Sequence, residues 1–277
     1  MKKEFELLED NLDKIIATAE RNVIREYQKT LKAIKAEIAE IYEKYGEPTL
    51  VDLQKYDRIN KLDKKMQEEI NKLYVTNRSL INTTLRDSYI GAYAGTKAII
   101  EGESKKTLRA IVKPVNVTKT INEEMAGLKW ADRVSKHRSD LIYDVQAVIK
   151  QGLQRGDSYS TMAKELNKKI IEITPKGLKG DVSKSTTIVR TESQRVTASA
   201  KKEVIDVAKS QGIDLTKTWN SVEDERVRDS HVKMDGQTVP YDGMYTLPTG
   251  EKVVGPHLTG IAKEDCNCRC FESYELA

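Results

Sequence analysis

Leu31-Lys32-Ala33-Ile34-Lys35-Ala36-Glu37-Ile38-Ala39-Glu40-Ile41 places its large apolar residues at steps of three and four, with Lys, Glu and Ala between them. That spacing lines one side of a 3.6-residue helix. The stripe runs back through Tyr27, Val23, Ala19, Ile16, Ile15 and Leu12 to Leu8, and neither Gly nor Pro interrupts residues 1–45. One long amphipathic helix is predicted, stopped by Gly46-Glu47-Pro48, with Thr49 or Asp52 capping the next.

A second helical stretch follows over residues 50–100, striped by Leu53, Tyr56, Ile59, Leu62, Met66, Ile70, Leu73, Leu80, Ile81 and Leu85. Gly91 and Gly95 are expected to loosen its end. Two such helices joined by a short turn form an antiparallel hairpin. Their seam is buried only along its length, so a third helix or another molecule should cover it.

Residues 102–122 read as a polar joint, with Ile111-Val112 and Val115-x-Val117 alternating like a short strand. Helices are predicted again over 123–151, 160–171 (capped by Ser158 or Ser160) and 183–210. Gly152 to Asp157 forms a turn between the first two, and Pro175, Gly177 and Gly180 a loop before the third. Gly212 is suited to a left-handed C-cap. Six of the fifteen glycines and three of the six prolines lie from Gly212 onward, which changes the texture to short strands and tight turns. The fold class expected is α+β and mostly α: a long N-terminal helical hairpin (1–102), a helical middle region (103–212) and a small C-terminal β-rich module (213–277).

Aromatic residues make up 6% and charged residues 32% of the 277, a mixture typical of long solvated helices. The net charge of +4 is unevenly placed. Residues 214–277 hold seven bases against twelve acids, −5, which leaves 40 bases against 31 acids, +9, in residues 1–213. Basic helices can neutralise phosphates, and Lys105, Lys106, Arg109 and Lys113 in the joint are the candidate DNA-binding patch; interspersed Lys and Glu on a solvated face is the plainer reading. No run approaches the length needed to cross a bilayer, and Met1-Lys2-Lys3-Glu4-Phe5-Glu6 lacks the apolar core of a secretion signal. A soluble protein with no membrane partner is expected.

All three cysteines, Cys266, Cys268 and Cys270, and two of the three histidines, His231 and His257, fall in the last fifty residues. Thiolate and imidazole are the preferred donors of tetrahedral zinc, so these five residues are the candidate metal ligands and zinc the candidate cofactor. The usual Cys-x₂₋₄-Cys pair is missing. A closing strand with alternating small thiols, or a disulfide in an oxidising setting, reads the same residues without a metal.

Several blocks resemble one family in their order. They are Leu128-Lys129-Trp130-Ala131-Asp132-Arg133, Leu153-Gln154-Arg155-Gly156-Asp157-Ser158-Tyr159 and Ile188-Val189-Arg190-Thr191-Glu192-Ser193-Gln194-Arg195. Trp219-Asn220-Ser221, Asp224-Glu225-Arg226-Val227-Arg228, Asp235-Gly236-Gln237 and Cys266-Asn267-Cys268-Arg269-Cys270 follow. In this order residues 125–277 resemble the phage head morphogenesis family, the minor capsid proteins similar to protein F of phage Mu and its relatives in phages of Gram-positive hosts. The resemblance implies a minor capsid protein that assembles in the host cytoplasm and ends inside the virion. It implies association with the portal and with scaffold or major capsid protein, contact with packaged double-stranded DNA, and no small-molecule substrate. Many members carry Cys-x-x-Cys where this chain has Arg228 and His231, which keeps His231 as a ligand candidate and removes Arg228.

Of the motif residues, Glu192 and Arg195 stand three apart on a helix and suit an ion pair. A charge there could instead reach the β module at Asp224, Arg226 or Arg228. Trp130 and Trp219 read as packing anchors, and His137, between Lys136 and Arg138, as a solvated surface residue. Neither His-Glu-x-x-His, Gly-x-Ser-x-Gly nor a phosphate-cradling loop occurs. An enzyme is therefore not expected; a metal-dependent nuclease or toxin-like activity of the C-terminal module is the alternative.

Overall fold

The computed structural model describes residues 1–54, 57–222, 224 and 227–277. The fold is mostly helical. Its helices are α1 (Lys2–Tyr45), α2 (Leu50–Gln54), α3 (Arg58–Ser104), α4 (Pro114–Ile121), α5 (Trp130–Arg155), α6 (Tyr159–Ile170) and α7 (Asp181–Ser210), with single turns α8 (Asp229–Val232) and α9 (Ala262–Asp265). The strands are β1 (Glu172–Thr174), β2 (Gly177–Lys179), β3 (Leu215–Asn220), β4 (Thr238–Pro240), β5 (Tyr245–Thr246), β6 (Lys252–Val253) and β7 (Phe271–Leu276). Thr49 and Asp52 cap α2 reciprocally, each side chain taking a hydrogen bond from the other's backbone N–H. Tyr56 of the predicted stripe, and Arg226, lie outside the described residues.

The chain forms two compact units, and the long helices contribute to both. One unit takes residues 20–81 and 131–186. Here α1 and α3 run antiparallel, with Glu37 paired to Lys65 and the rings of Tyr27 and Tyr74 6.5 Å apart. The predicted stripe is the buried face, including Val23, Ile34 and Ile38 against Leu62, Met66 and Ile70. Lys150 pairs with Asp63 at 2.7 Å, which fixes α5 to α3 and supplies the covering third helix. Asp181, the first residue of α7, is buried and accepts hydrogen bonds from the hydroxyls of Tyr27 and Tyr74; Lys184 stands 3.3 Å from its other oxygen.

The other unit takes residues 1–19, 82–130 and 187–277. In it the start of α1 packs on the end of α3. Gly91 and Gly95 do not loosen α3, which continues to Ser104. They let α1 come close instead: a Cβ at Gly91 would sit 3.2 Å from Leu12 Cδ2, and one at Gly95 would collide with Leu8. From Thr191 to Ala198 every residue of α7 is buried, although most are polar. Several of them, and Lys201 one turn beyond, bond to groups of the same unit. Gln194 donates to Asp13, Glu192 pairs with Arg195 at 2.9 Å, and Lys201 touches Glu9. The closing module is an antiparallel sheet ordered β4-β3-β7, beside a β5–β6 hairpin.

Other expectations shift. The strand predicted over 111–117 does not form: residues 105–113 are irregular, and Pro114, which needs no N–H partner at a helix start, opens α4. The helix expected from residue 123 begins at Trp130, because Ala126 and Gly127 adopt positive φ and close a turn bridging Met125 to Leu128. The loop at Pro175 and Gly177 is the tip of a small β1–β2 hairpin. His137 is half-buried rather than solvated, and its burial lowers its pKa.

Candidate metal centre

An extended Cys-x-Cys sends both thiols to one face and the residue between them to the other. Cys268 and Cys270, entering β7, therefore face the module's core beside Trp219, Tyr245 and Val253, while Arg269 forms a two-pronged pair with Asp224 on the opposite side. The single turn α8 presents His231 to the same core. Its Nδ1 lies 3.5 Å from Cys268 Sγ and 3.3 Å from Cys270 Sγ, and all three donor atoms fall within 4.8 Å of one another. Each residue is 1–3% exposed.

Two donors bound to one tetrahedral zinc at about 2.3 Å (sulfur) and about 2.05 Å (nitrogen) stand about 3.6 Å apart. The observed S···N distances match that edge closely. His231 is also oriented as a ligand is: its Nε2 lies 3.0 Å from a carboxylate oxygen of the buried Glu264, which also accepts from Ser230. A proton held on Nε2 leaves Nδ1 as the lone-pair nitrogen, the arrangement in which a carboxylate steers a metal-bound histidine. The ring of Trp219 packs edgewise on the imidazole at 5.4 Å.

The hydrogen bond from Cys268 pulls the Cys270 thiol down, to about 5, with His231 assisting and burial opposing. Cys268 moves up, because it keeps the proton it shares with Cys270 and is buried. Burial lowers the basicity of His231, but the hydrogen bond and charge of Cys270 outweigh it and raise the pKa. One thiolate in a cationic setting is what a metal or an electrophile requires.

The remaining predicted ligands lie differently. Cys266 is only half-buried and does not join the three. His257, with φ of 64°, donates from Nε2 to the Cys270 carbonyl at 2.7 Å, and its buried Nδ1 has no hydrogen-bond partner among the described residues. Burial drives its pKa down to about 4, so the ring is neutral. Arg228 donates to the carbonyls of Glu264 and Cys266 and props up the loop.

The other motif residues build the surroundings. Arg190 donates to Asn267 Oδ1 at 2.9 Å, and Thr191 accepts from the Asn267 N–H, so α7 holds the Cys-x-Cys loop through Asn267. Arg195 reaches the Ile121 carbonyl besides Glu192. Asp235 accepts from the Ser221 N–H, and Gly236, at φ 74°, donates to the Trp219 carbonyl. Trp130 and Trp219 are buried; Arg133 is half-exposed on α5. Lys105, Lys106, Arg109 and Lys113 are all exposed on one connection. Sequence reasoning missed Glu264, Glu9 and Lys201, since nothing in their spacing separates them from solvated charges.

Residues 143–272 match the family described as Phage Mu protein F like protein. Across 275 residues the chain is 29% identical to the minor head protein GP7 of Bacillus phage SPP1, covering 98% of this chain and 86% of that one. The chain is thus similar to a phage minor head protein along nearly its whole length. It is also 31% identical over 150 residues to the NAD(+)--arginine ADP-ribosyltransferase EFV of Enterococcus faecalis. That match takes in 54% of this chain and only 29% of the larger protein. No solved structure matches.

Proposed function

We propose that this chain is a structural, non-enzymatic component of a phage head, acting in head assembly through the portal and through scaffold or major capsid protein. It is made in the host cytoplasm and ends inside the capsid. The observation that carries this reading is the near full-length likeness to a minor head protein, which spans the helical hairpin as well as the C-terminal module. Among the described residues no helix is long and apolar enough to cross a membrane. Co-expression with the portal of the same phage tests the association: the two should co-purify, and portal recovered alone would refute it.

His231, Cys268 and Cys270 serve this role as a zinc staple. When bound, the ion would tie α8 to the entry of β7 and so close the small module. Burial of the three donors favours this over the nuclease or toxin-like reading, because catalytic zinc keeps a position open to substrate. Purified protein should carry about one zinc per chain, and chelation should loosen the C-terminal module first. Zinc-free protein from zinc-supplied cells, or a Cys268→Ala variant with unchanged zinc, would overturn the staple.

A further inference from the structure

The connection between α3 and α4 has the pattern of a strand without a neighbouring strand. Thr107, Arg109, Ile111 and Lys113 are exposed, while Leu108 and Ala110 are buried and Val112 is half-buried, the alternation of an extended chain lying on a core. Side chains occupy part of its backbone. On one edge the Leu108 N–H meets Glu101, and the Ala110 carbonyl accepts from Lys97 at 3.0 Å. On the other edge Gln211 serves the Thr107 carbonyl and the Arg109 N–H. That second edge continues through Ile111 to Lys113. Among the described residues nothing hydrogen-bonds the Arg109 carbonyl, either backbone group of Ile111, or the Lys113 N–H.

Ile111 is 71% exposed and Val115, just beyond, 70%. Residues 104–119 hold five bases and no acid. Phosphates would use the bases and the free N–H groups but gain nothing from Ile111 or from the free carbonyls. A polypeptide with acids and apolar residues in alternation uses all of these features. We propose that residues 107–113 accept an extended acidic segment of a partner protein as an added antiparallel or parallel strand, pairing at Ile111 and Lys113 and neutralised by Lys105, Arg109 and Lys113. This goes beyond the head-assembly reading and does not depend on the metal centre.

The test uses the full chain and a labelled twelve-residue peptide of alternating Glu and Val, followed by fluorescence anisotropy. Its controls are the same composition in two blocks and a duplex DNA of equal charge. The alternating peptide should bind at least tenfold more tightly than the block peptide and should protect the Ile111 and Lys113 amides from hydrogen exchange. Ile111→Pro, which removes one free N–H without breaking an existing bond, should weaken binding tenfold or more. Arg109→Glu with Lys113→Glu should abolish it, and circular dichroism should be unchanged in both variants. Equal binding of the two peptides would overturn the proposal, as would preferential duplex binding that ignores Ile111→Pro, or no binding of any probe.

Discussion

Replacing Glu9 by alanine strips the counter-ion from a lysine that has almost no contact with water. Lys201 is 3% exposed and Glu9 8%. Breaking such a pair from one side costs about 3–5 kcal/mol, since the remaining charge stays buried. The protein has one escape, which is to shed the proton. Burial pulls the Lys201 pKa from 10.5 down to about 7, with the Glu272 charge opposing, and Glu9 is the carboxylate in direct contact with it. Without Glu9, giving up the proton costs about 1.4 kcal/mol per pH unit below 10.5, or about 5 kcal/mol at pH 7 and about 2 kcal/mol at pH 9. The folded variant then binds fewer protons than the unfolded chain between about pH 7 and 10.5, so its stability rises with pH across that window. Urea unfolding followed by far-UV circular dichroism at pH 7 and 9 measures both effects. A Glu9→Leu, Lys201→Met double variant, which removes both charges, should stay within about 1 kcal/mol of wild type or exceed it. A single-variant loss below 1 kcal/mol, a penalty that grows with pH, or a double variant as damaged as the single would refute the reasoning.

Two further outcomes follow from the other unit. Tyr74→Phe removes one of two tyrosine hydroxyls donated to the buried Asp181 carboxylate and should cost about 1.5–3 kcal/mol in the same unfolding assay; no change would mean the network is dispensable. Gly180→Ala should cost more than Gly250→Ala: both have positive φ, but only at Gly180 does the added Cβ meet backbone, 2.9 Å from the Lys168 carbonyl. Strain alone is about 1 kcal/mol, so equal losses at the two glycines would contradict the packing described.

Wherever burial follows a simple period, the sequence was readable. The stripe from Leu8 to Ile41 became the buried face of α1, and the capping signals at Thr49 and Ser158 sit where helices begin. Legibility failed where a local pattern had two outcomes. Ile111-Val112 alternates in burial like a strand, yet among the described residues no second strand lies alongside it. Gly91 and Gly95 look like helix breakers until the approach of Leu12 and Leu8 is known. Of the clustered thiols and imidazoles, His231, Cys268 and Cys270 come together, and alternation alone explains why Cys268 and Cys270 share a face. Which histidine meets them was not readable, because α8 is a single turn with no period of its own. Glu264 was invisible for the same reason: its role depends on a fold that brings α9 against α8, thirty residues earlier in the chain.

Whether the chain is a component of the head is tested most directly by its presence in particles. Procapsids and mature heads purified from a lysate of the parent phage, then analysed by quantitative mass spectrometry, should contain this chain at a small fixed ratio to portal and far below the major capsid protein. Heads that form normally and contain none of it, in a lysate where it is expressed, would contradict the account.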